Sequence, residues 1–482
     1  MVSSVPHRAV IALVVLLAAA GCRSGGKNDA ARGPGTTVTQ PGGAPADDPG
    51  DASGGADGGA GASGDGAAAN GPGGGSGAGG TGGAGGTGGA GGSGPTPGGR
   101  GPLVGAPTDP GAGPARPRGW RKLPAAPLRS RYNAGAVWTG REMIVWGGAW
   151  RAGNASLWLD DGAAYDPAGD RWRKISGSPL AGRSEAFIAW TGSQVLIWGG
   201  QRRDSLTGFG DEWTDGALYD PTRDTWKPMA RWPLTERFGA RAVWTGKRLV
   251  VWGGASAAAG TDPPPLADGA AYDPSDNNWT KLAAAPLAGR IAPLAGARGD
   301  AALVSWGPGE LRDGQRVPAT DSALYDPGPN RWSPAAPAPA PPKQTWCVNA
   351  SDCVGVDTGS KVLFAGQGLA WDAAGNRWSP VAAGQFADPL LEGKAQAWTG
   401  SRVMFWGGGT ADSPADAPPA TVTPAGAAYD AAADRWEALP PSPLAPRARA
   451  AAVWTGREFI VWGGEADYSH RAQFDDGAAY TP

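Results

Sequence analysis

A short string with two glycine turns recurs along this chain and limits its possible folds more than any other feature. Its last copy reads WTGREFIVWGG. Full copies begin at Trp138, Trp190, Trp244, Trp398 and Trp454, and degraded copies begin at Asp300 and Asp357. Glycine supplies the positive φ of a two-residue turn, so Thr-Gly between apolar segments predicts a tight β-hairpin. Seven copies at a regular spacing predict a repeat architecture.

A second motif follows each hairpin and completes the repeat. It reads DGAAYDPAGDRW from Asp161, with close copies from Asp215, Asp268 and Asp321 and looser ones from Leu369 and Gly426. Proline and the Asp or Asn side chains favour a turn after the tyrosine. The repeat is about 52 residues long, and we predict four short strands in each copy.

A hairpin turn, a Gly-Gly doublet, a Tyr and then a Trp at fixed spacing resemble the kelch repeat over residues 119–482. The resemblance implies an all-β fold, a kelch-type β-propeller with one four-stranded antiparallel blade per repeat. We expect seven blades, or six if the degenerate fifth repeat is only an insertion. Residues 476–482 form a third strand without a fourth, and residues 119–128 resemble a fourth strand. The N-terminal strand would then complete the last blade and close the ring.

The chain begins with an export signal. Residues 9–20 form an apolar run of 12 residues, whereas a bilayer span needs roughly 20. Ala19-Ala20-Gly21-Cys22 resembles the bacterial lipobox, which implies a signal peptide over 1–21 and a lipidated Cys22. Because Arg23 is not the Asp of inner-membrane retention, the resemblance favours the outer membrane, on either its periplasmic or its surface side. An ordinary cleaved signal with an incidental cysteine is the alternative.

Residues 22–118 differ in composition from the rest of the chain. Gly, Ala, Ser and Pro dominate them, while all 24 tryptophans lie at Trp120 or later. Such a segment cannot offset its conformational entropy by burying apolar surface, so we expect a disordered tether. The propeller then occupies residues 119–482.

Charge and cysteine content exclude some functions. The formal net charge is −2 with both signs interspersed, which argues against nucleic-acid binding. We expect a monomer that meets the membrane only through its N-terminal lipid. In an oxidising compartment, Cys347 and Cys353 predict a disulfide. No metal or other cofactor is expected, because a thiolate site needs further Cys or His ligands and the chain has two histidines.

The sequence motifs give only weak support for catalysis. Kelch-type propellers include copper oxidases of the galactose oxidase kind, whose site needs two histidines and a Tyr–Cys cross-link. This domain has His470 alone, which argues against copper oxidase chemistry. There is no G-x-S-x-G motif, and the paired carboxylates recur in most repeats, as structural features do. Enzymatic activity stays open but is not favoured.

One face of the predicted propeller is the candidate ligand face. Loops alternate between the two faces, so connections before the first strand share a face with those after Trp-Gly-Gly. An arginine after a Pro-Leu pair recurs at Arg129, Arg183, Arg237, Arg290 and Arg447. These arginines either face a ligand or pair with the repeated aspartates. The long connections add the non-repeat residues Trp150, Trp158, Arg202, Phe209, Trp213, Tyr468 and His470, of types enriched at binding hot spots.

The fifth repeat suggests an asymmetric site on that face. Its connection after the second strand shrinks to residues 365–368, beside a long proline-rich segment that carries both cysteines. The favoured function is a lipid-anchored extracytoplasmic module that binds an envelope or extracellular protein or glycan. The alternatives are a carbohydrate-active enzyme of the bacterial envelope and a structural envelope protein without a defined ligand.

Overall fold

The repeated hairpins fold as the sequence predicts. In a computed structural model, the described residues are 117–152, 155–203, 210–256, 263–313, 315–339, 353–387, 391–410, 421–467 and 472–482. The predicted signal peptide, Cys22, most of the tether, Cys347, Phe209, Tyr468 and His470 lie outside these ranges. The chain divides into two compact parts, and the described residues all lie in the same one. Within them, no helical stretch has the length and hydrophobicity that a membrane crossing requires.

The described chain is almost entirely β-structure, which we divide into six sequential units of strands plus a terminal one. The N-terminal strand and units 1 and 2 contain β1 (Gly119–Lys122), β2 (Gly135–Trp138), β3 (Met143–Trp146), β4 (Ala149–Ala152), β5 (Ala155–Trp158), β6 (Gly162–Asp166), β7 (Arg171–Lys174), β8 (Phe187–Trp190), β9 (Val195–Trp198), β10 (Gln201–Arg203), β11 (Gly210–Glu212), β12 (Gly216–Asp220) and β13 (Thr225–Pro228).

Units 3 to 5 contain β14 (Arg241–Trp244), β15 (Leu249–Trp252), β16 (Gly269–Asp273), β17 (Asn278–Lys281), β18 (Ala295–Arg298), β19 (Ala301–Val304), β20 (Gly307–Arg312), β21 (Gln315–Ala319), β22 (Ser322–Asp326), β23 (Arg331–Ala335), β24 (Val354–Asp357), β25 (Lys361–Phe364), β26 (Leu369–Asp372) and β27 (Arg377–Pro380). Unit 6 and the terminal unit contain β28 (Leu391–Glu392), β29 (Ala395–Trp398), β30 (Arg402–Trp406), β31 (Gly409–Thr410), β32 (Gly426–Asp430), β33 (Arg435–Ala438), β34 (Ala451–Trp454), β35 (Phe459–Trp462) and β36 (Gly477–Thr481). Two single 3₁₀ turns span Ala365–Gln367 and Gln385–Ala387.

The main sheets are antiparallel and four-stranded. Unit 1 has the strand order β2-β3-β6-β7, and units 2, 3 and 6 repeat this order. The terminal unit has the order β1-β36-β35-β34, so the first strand of the chain pairs with the last. Units 4 and 5 each contribute four strands to one eight-stranded sheet, in which β18 and β24 run parallel. The degenerate fifth repeat therefore forms a complete four-stranded unit. This all-β architecture is consistent with a β-propeller.

The Thr-Gly turn builds the first hairpin of every unit except unit 4, where Gly299 and Asp300 join the two strands. In unit 1 the backbone N–H of Thr139 donates to the Glu142 carbonyl at 3.0 Å, and the Thr139 hydroxyl accepts from the Glu142 N–H at 3.0 Å. Gly140 has φ +91°, as the first central residue of a type II′ turn requires. The second strand that follows is fully buried in the most regular units.

The core lies between successive units. Ile144 and Trp146 of unit 1 share a buried cluster with Val195 and Ile197 of unit 2. Similar clusters join each later pair of neighbours. One further cluster joins Ile460 of the terminal unit to the first unit. Each sheet is thus buried on both faces, which explains the continuous apolar runs before Trp-Gly-Gly.

Candidate functional site

The connections that precede a first strand and those that follow Trp-Gly-Gly lie side by side. Backbone bridges join Tyr132 to Ala149, Ser184 to Gln201, Phe238 to Ala255 and Ala448 to Glu465. We call the surface that these two sets of connections build the long-loop face. Every candidate ligand residue that the structure describes belongs to one of the two sets.

The repeated arginines of this face are buried in ion pairs. Their side chains are at most 1% exposed, while each partner aspartate is about half exposed. The pairs are Arg131–Asp161 at 2.8 Å, Arg183–Asp215 at 2.5 Å, Arg237–Asp268 at 2.7 Å, Arg290–Asp321 at 2.8 Å and Arg447–Asp476 at 2.6 Å. Of the two roles that the sequence allows, the structure supports the bracing of neighbouring segments for these arginines.

The structure corrects one assignment in this series. Arg131, and not Arg129, occupies the buried position in unit 1. Both arginines follow the same Pro-Leu pair, but only Arg131 lies at the same distance before its Thr-Gly turn as Arg183. Burial lowers the pKa of Arg131, and Asp161 only partly offsets this effect.

A glycine of the Gly-Gly doublet connects four of the five arginines to the preceding unit. Gly148 of unit 1 donates its N–H to the carbonyl of Arg183 in unit 2 at 2.8 Å, and Gly464 donates to Arg131 at 2.8 Å. Both glycines have left-handed backbones, with φ +96° and +98°. A Cβ on Gly147 would lie 2.8 Å from the Arg183 carbonyl oxygen of unit 2. Where the doublet is present, the close approach of adjacent units therefore requires it.

The non-repeat aromatic residues pack against arginines. The Arg129 guanidinium lies 4.5 Å from the Trp150 ring centre, and the Arg202 guanidinium lies 5.2 Å from that of Trp158. These distances are those of cation–π contacts. Trp213 instead covers the buried Arg183 at 4.8 Å, so its packing is structural.

Arg129 and Arg202 differ from the repeated arginines in their surroundings. Both are exposed. Within the described part of the chain, neither guanidinium forms a hydrogen bond or an ion pair, and each contacts only an indole. Among the described residues, these two side chains are therefore cations of the long-loop face that can bind an external group.

Two-stranded hairpins extend the long-loop face. The sequence predicted long connections after Trp-Gly-Gly, and β4–β5, β10–β11 and β20–β21 form paired strands there. The large apolar residues that are exposed in the described ranges are Leu157, Leu311 and Val317. All three lie on β5, β20 or β21, so exposed apolar surface is concentrated on this face.

A polar cluster at the start of neighbouring first strands was not predicted. The Asn133 amide donates to Glu185 at 2.8 Å, and Arg449 pairs with the buried Glu465 at 2.9 Å. Arg449, Asn133 and Glu185 precede β34, β2 and β8, and their backbones are bonded in series at 3.1 Å. Burial, followed by the charge of Glu465, raises the pKa of the adjacent Tyr132 to about 12.

These three residues adopt left-handed backbones, with φ between 52° and 57°. Such a conformation costs a non-glycine residue about 1–3 kcal/mol. Glycine, at Gly239 and Gly393, occupies the corresponding position two residues before β14 and β29. Polar side chains are thus retained in three neighbouring units where glycine would fit with less strain.

A lysine of unit 6 lies against the shortened connection of the fifth unit. Lys394 of unit 6 is 2% exposed and donates to the carbonyls of Gly366 and Leu391, so its side chain packs against this connection. Cys353 is fully buried. Its predicted partner Cys347 lies outside the described residues, as does the proline-rich segment before it, and the disulfide stays a prediction.

Two clefts lie away from the long-loop face. One, of about 830 Å³, lies beside the Thr-Gly turn of unit 6, and Glu437 is its one lining carboxylate. The other, of about 170 Å³, contains Asp434 as its one carboxylate. Among the described residues, no three His, Cys, Asp or Glu side chains are grouped as a metal site would require.

No known protein family matches the chain, and neither does any curated protein. Among solved structures, the chain is similar to one described as "Structure of YjhT", with 16% sequence identity and a TM-score of 0.43. The similarity covers 73% of this chain and 95% of that one. At this level of similarity the comparison does not bear on function, and the candidate site rests on its own geometry.

Proposed function

We propose that the chain is a lipid-anchored, extracytoplasmic, kelch-type propeller that binds a protein or glycan through its long-loop face. In this proposal residues 1–21 are a signal peptide, 22–118 a tether and 119–482 a closed ring of seven blades. The all-β fold with four-stranded antiparallel sheets fits a binding module of this kind.

A series of tryptophan hydrogen bonds supports the closed seven-bladed ring. In each four-stranded unit, the indole N–H of the last strand donates to a carbonyl of the preceding unit at 2.8–3.1 Å. The pairs are Trp172–Pro124, Trp226–Ser176, Trp279–Ala230, Trp332–Ala283, Trp378–Ala336, Trp436–Ala382 and Trp120–Pro440. Followed in order, these bonds pass through all seven units and return to the first.

One observation carries the binding function. Among the described residues, exposed arginines without ion pairs, half-buried tryptophans and the exposed large apolar side chains occur together on the long-loop face. Arg and Trp dominate binding hot spots. Structural packing accounts for the repeated arginines and for Trp213, but not for Arg129, Arg202 and Leu157.

The test is cross-linking of the full-length protein in its native host, followed by recovery of partners from envelope extracts. A double variant, Trp150→Ala with Val317→Asp, alters hairpins of units 1 and 4 and should recover much less partner. Lys247→Ala is the control, because this exposed side chain lies beside the Thr-Gly turn of unit 3 and forms an ion pair with Asp300. Equal recovery by both variants would exclude the long-loop face.

The anchor and the disulfide are tested separately. Labelling with a fatty-acid analogue should modify the wild type but not Cys22→Ser, and label on that variant would contradict lipidation. Mass mapping without reductant should find Cys347 joined to Cys353. Free thiols at both positions would remove the disulfide from the proposal.

The enzyme alternative has no specific observation in its favour. Neither cleft described above joins two carboxylates, and His470 lies outside the described residues. The binding module is therefore the function that we carry forward.

A further inference from the structure

The hairpin of β4 and β5 carries an apolar patch formed by two cross-strand neighbours. Trp150 lies directly opposite Leu157 in the register, so their side chains project from the same side of the hairpin. Leu157 is 43% exposed. The hairpin is also held in place, because the Arg151 N–H donates to the Gln473 side chain of the terminal unit at 3.2 Å.

An arginine that has no acidic partner among the described residues borders this patch. Arg129 lies over Trp150 on one side of the hairpin, and Arg202 lies over Trp158 on the other. The acidic residues that follow the hairpin, Asp160 and Asp161, interact with Arg131 instead. Asp161 binds the Arg131 guanidinium, and Asp160 interacts with the same group. The positive charge of Arg129 is therefore available to a ligand.

The hairpin of unit 4 offers a natural comparison. It also exposes a leucine, Leu311, at 40%. Arg312 beside it lies 3.8 Å from Glu310, and the guanidinium of Arg316, opposite Leu311, donates to the Gly309 and Pro263 carbonyls. In the unit 1 hairpin, by contrast, the guanidinium beside the apolar patch contacts only an indole among the described residues.

These contacts favour a polypeptide ligand over a glycan. A sugar ring would stack on the flat face of an indole, but in both Trp150 and Trp158 a guanidinium lies over one such face. A leucine side chain offers no polar group to sugar hydroxyls and suits an apolar side chain instead. An arginine that already rests on an indole loses little freedom when it binds a carboxylate.

The geometry points to the unit 1 hairpin as a docking site for an acidic, apolar polypeptide segment. An apolar side chain of the partner contacts Trp150 and Leu157, and a neighbouring Asp or Glu binds Arg129. This inference rests on the proposed function of the long-loop face and identifies the chemistry of its partner.

The experiment selects peptides from a random display library on the immobilised full-length protein and measures the enriched peptides by fluorescence anisotropy. Enriched peptides should contain Asp or Glu beside Leu, Phe or Trp.

Leu157→Asp should weaken the binding of these peptides at least about tenfold, which corresponds to about 1.4 kcal/mol. The substitution removes apolar contact and adds a negative charge that repels the acidic peptide. Arg129→Ala and Arg129→Lys should both weaken it, since a lysine does not reproduce a stacked, forked guanidinium. Leu311→Asp is the matched control and should bind like the wild type.

Several outcomes overturn the inference: no enrichment, enrichment without acidic residues, or unchanged binding by Leu157→Asp. Alginate, a soluble polyuronate, is tested in parallel. If alginate binds as tightly as the peptides and still binds Leu157→Asp, the hairpin recognises anionic glycans instead.

If the double variant of units 1 and 4 loses its cross-linked partner but the peptide results fail, only this inference falls. If the peptides behave as expected but no envelope partner depends on the long-loop face, the proposed envelope function falls.

Discussion

At the residue scale, arginine has two roles in this protein, and the group that contacts its guanidinium determines which role it has. Arg131 is fully buried, and Asp161 and the Gly147 carbonyl accept its hydrogen bonds at 2.8 and 3.0 Å. Arg129, two residues earlier, is exposed and lies over an indole. Removing the partner of a buried charge costs more than removing an exposed side chain.

We therefore expect Asp161→Ala to destabilise the protein and Asp160→Ala to have little effect. The first substitution removes a charged hydrogen bond to a buried guanidinium, worth about 1.5–3 kcal/mol. The second removes an exposed carboxylate and should change the free energy of unfolding by less than about 0.5 kcal/mol. Urea unfolding at neutral pH measures both. Similar values for the two variants would show that the ion pair does not brace the fold.

A second residue-scale prediction concerns acid stability. Asp434 accepts hydrogen bonds from the Tyr429 hydroxyl at 2.5 Å and the Ala382 N–H at 2.7 Å. The Tyr429 bond, followed by the Ala382 bond, holds the pKa of Asp434 below its usual value. In unit 4 Asn330 accepts the same pair of bonds, from Tyr325 and Ala283.

A carboxyl with a lowered pKa stabilises the fold above its unfolded pKa of about 3.9 and loses that contribution as pH falls through the folded value. Asp434→Asn should therefore be less stable than the wild type at pH near 7, and the difference should shrink in acid below about pH 4. The reciprocal variant Asn330→Asp should become more acid-sensitive than the wild type. Urea unfolding across this pH range checks both, and a difference that does not depend on pH would contradict the assignment.

At the element scale, the Gly-Gly doublet joins neighbouring units, whereas the Thr-Gly turn closes a hairpin within one unit. Gly148 and Gly140 have similar backbones, with φ +96° and +91°. A Cβ would lie 2.9 Å from a carbonyl oxygen at Gly148 but would meet nothing within 4 Å at Gly140. The two positions therefore separate backbone strain from steric contact between the two connections of the long-loop face.

Gly148→Ala should destabilise the protein more than Gly140→Ala. Both variants force alanine into a left-handed conformation, at about 1–2 kcal/mol. Only Gly148→Ala also displaces the Tyr132 carbonyl, which lies in the bridge between the two connections of the long-loop face. Thermal unfolding of the two variants measures the difference, and equal losses would show that the doublet is needed for its φ values alone.

The elements were more predictable than the side chains that distinguish the units. Five copies of the hairpin repeat the same turn and apolar strand, and two degraded copies keep the spacing, so the four-stranded units were visible in the sequence. Arg129 was mistaken for Arg131 because Arg-Ser-Arg offers two arginines after one Pro-Leu pair. Asn133, Glu185 and Arg449 share a backbone conformation but not a residue type, so no pattern marked them. The hairpin of β4 and β5 depends on pairing within a variable segment, which periodicity does not reveal.

At the scale of the whole molecule, the proposed ring depends on the strand contributed by the N-terminus. β1 pairs with β36 along four residues, and Trp120 donates to the Pro440 carbonyl at 2.9 Å. Trp120 also packs against Tyr480, with ring centres 5.2 Å apart. Trp226 has the same role within unit 2, with Tyr219 at 4.9 Å and the Ser176 carbonyl at 3.0 Å. Both tryptophans are half-buried.

If the N-terminal strand closes a ring, Trp120→Ala and Trp226→Ala should destabilise the protein by similar amounts, up to about 3–5 kcal/mol each. In a cooperative ring each contact between units contributes to the stability of all of them, wherever the chain ends lie. If β1 is only a peripheral strand, Trp120→Ala should leave the main unfolding transition unchanged while Trp226→Ala shifts it. Trp120→Phe keeps most of the ring packing and loses the hydrogen bond, so it should cost only about 0.5–1.5 kcal/mol. Urea unfolding followed by tryptophan fluorescence and by circular dichroism distinguishes these cases, because separate transitions for the two signals would contradict a single closed ring.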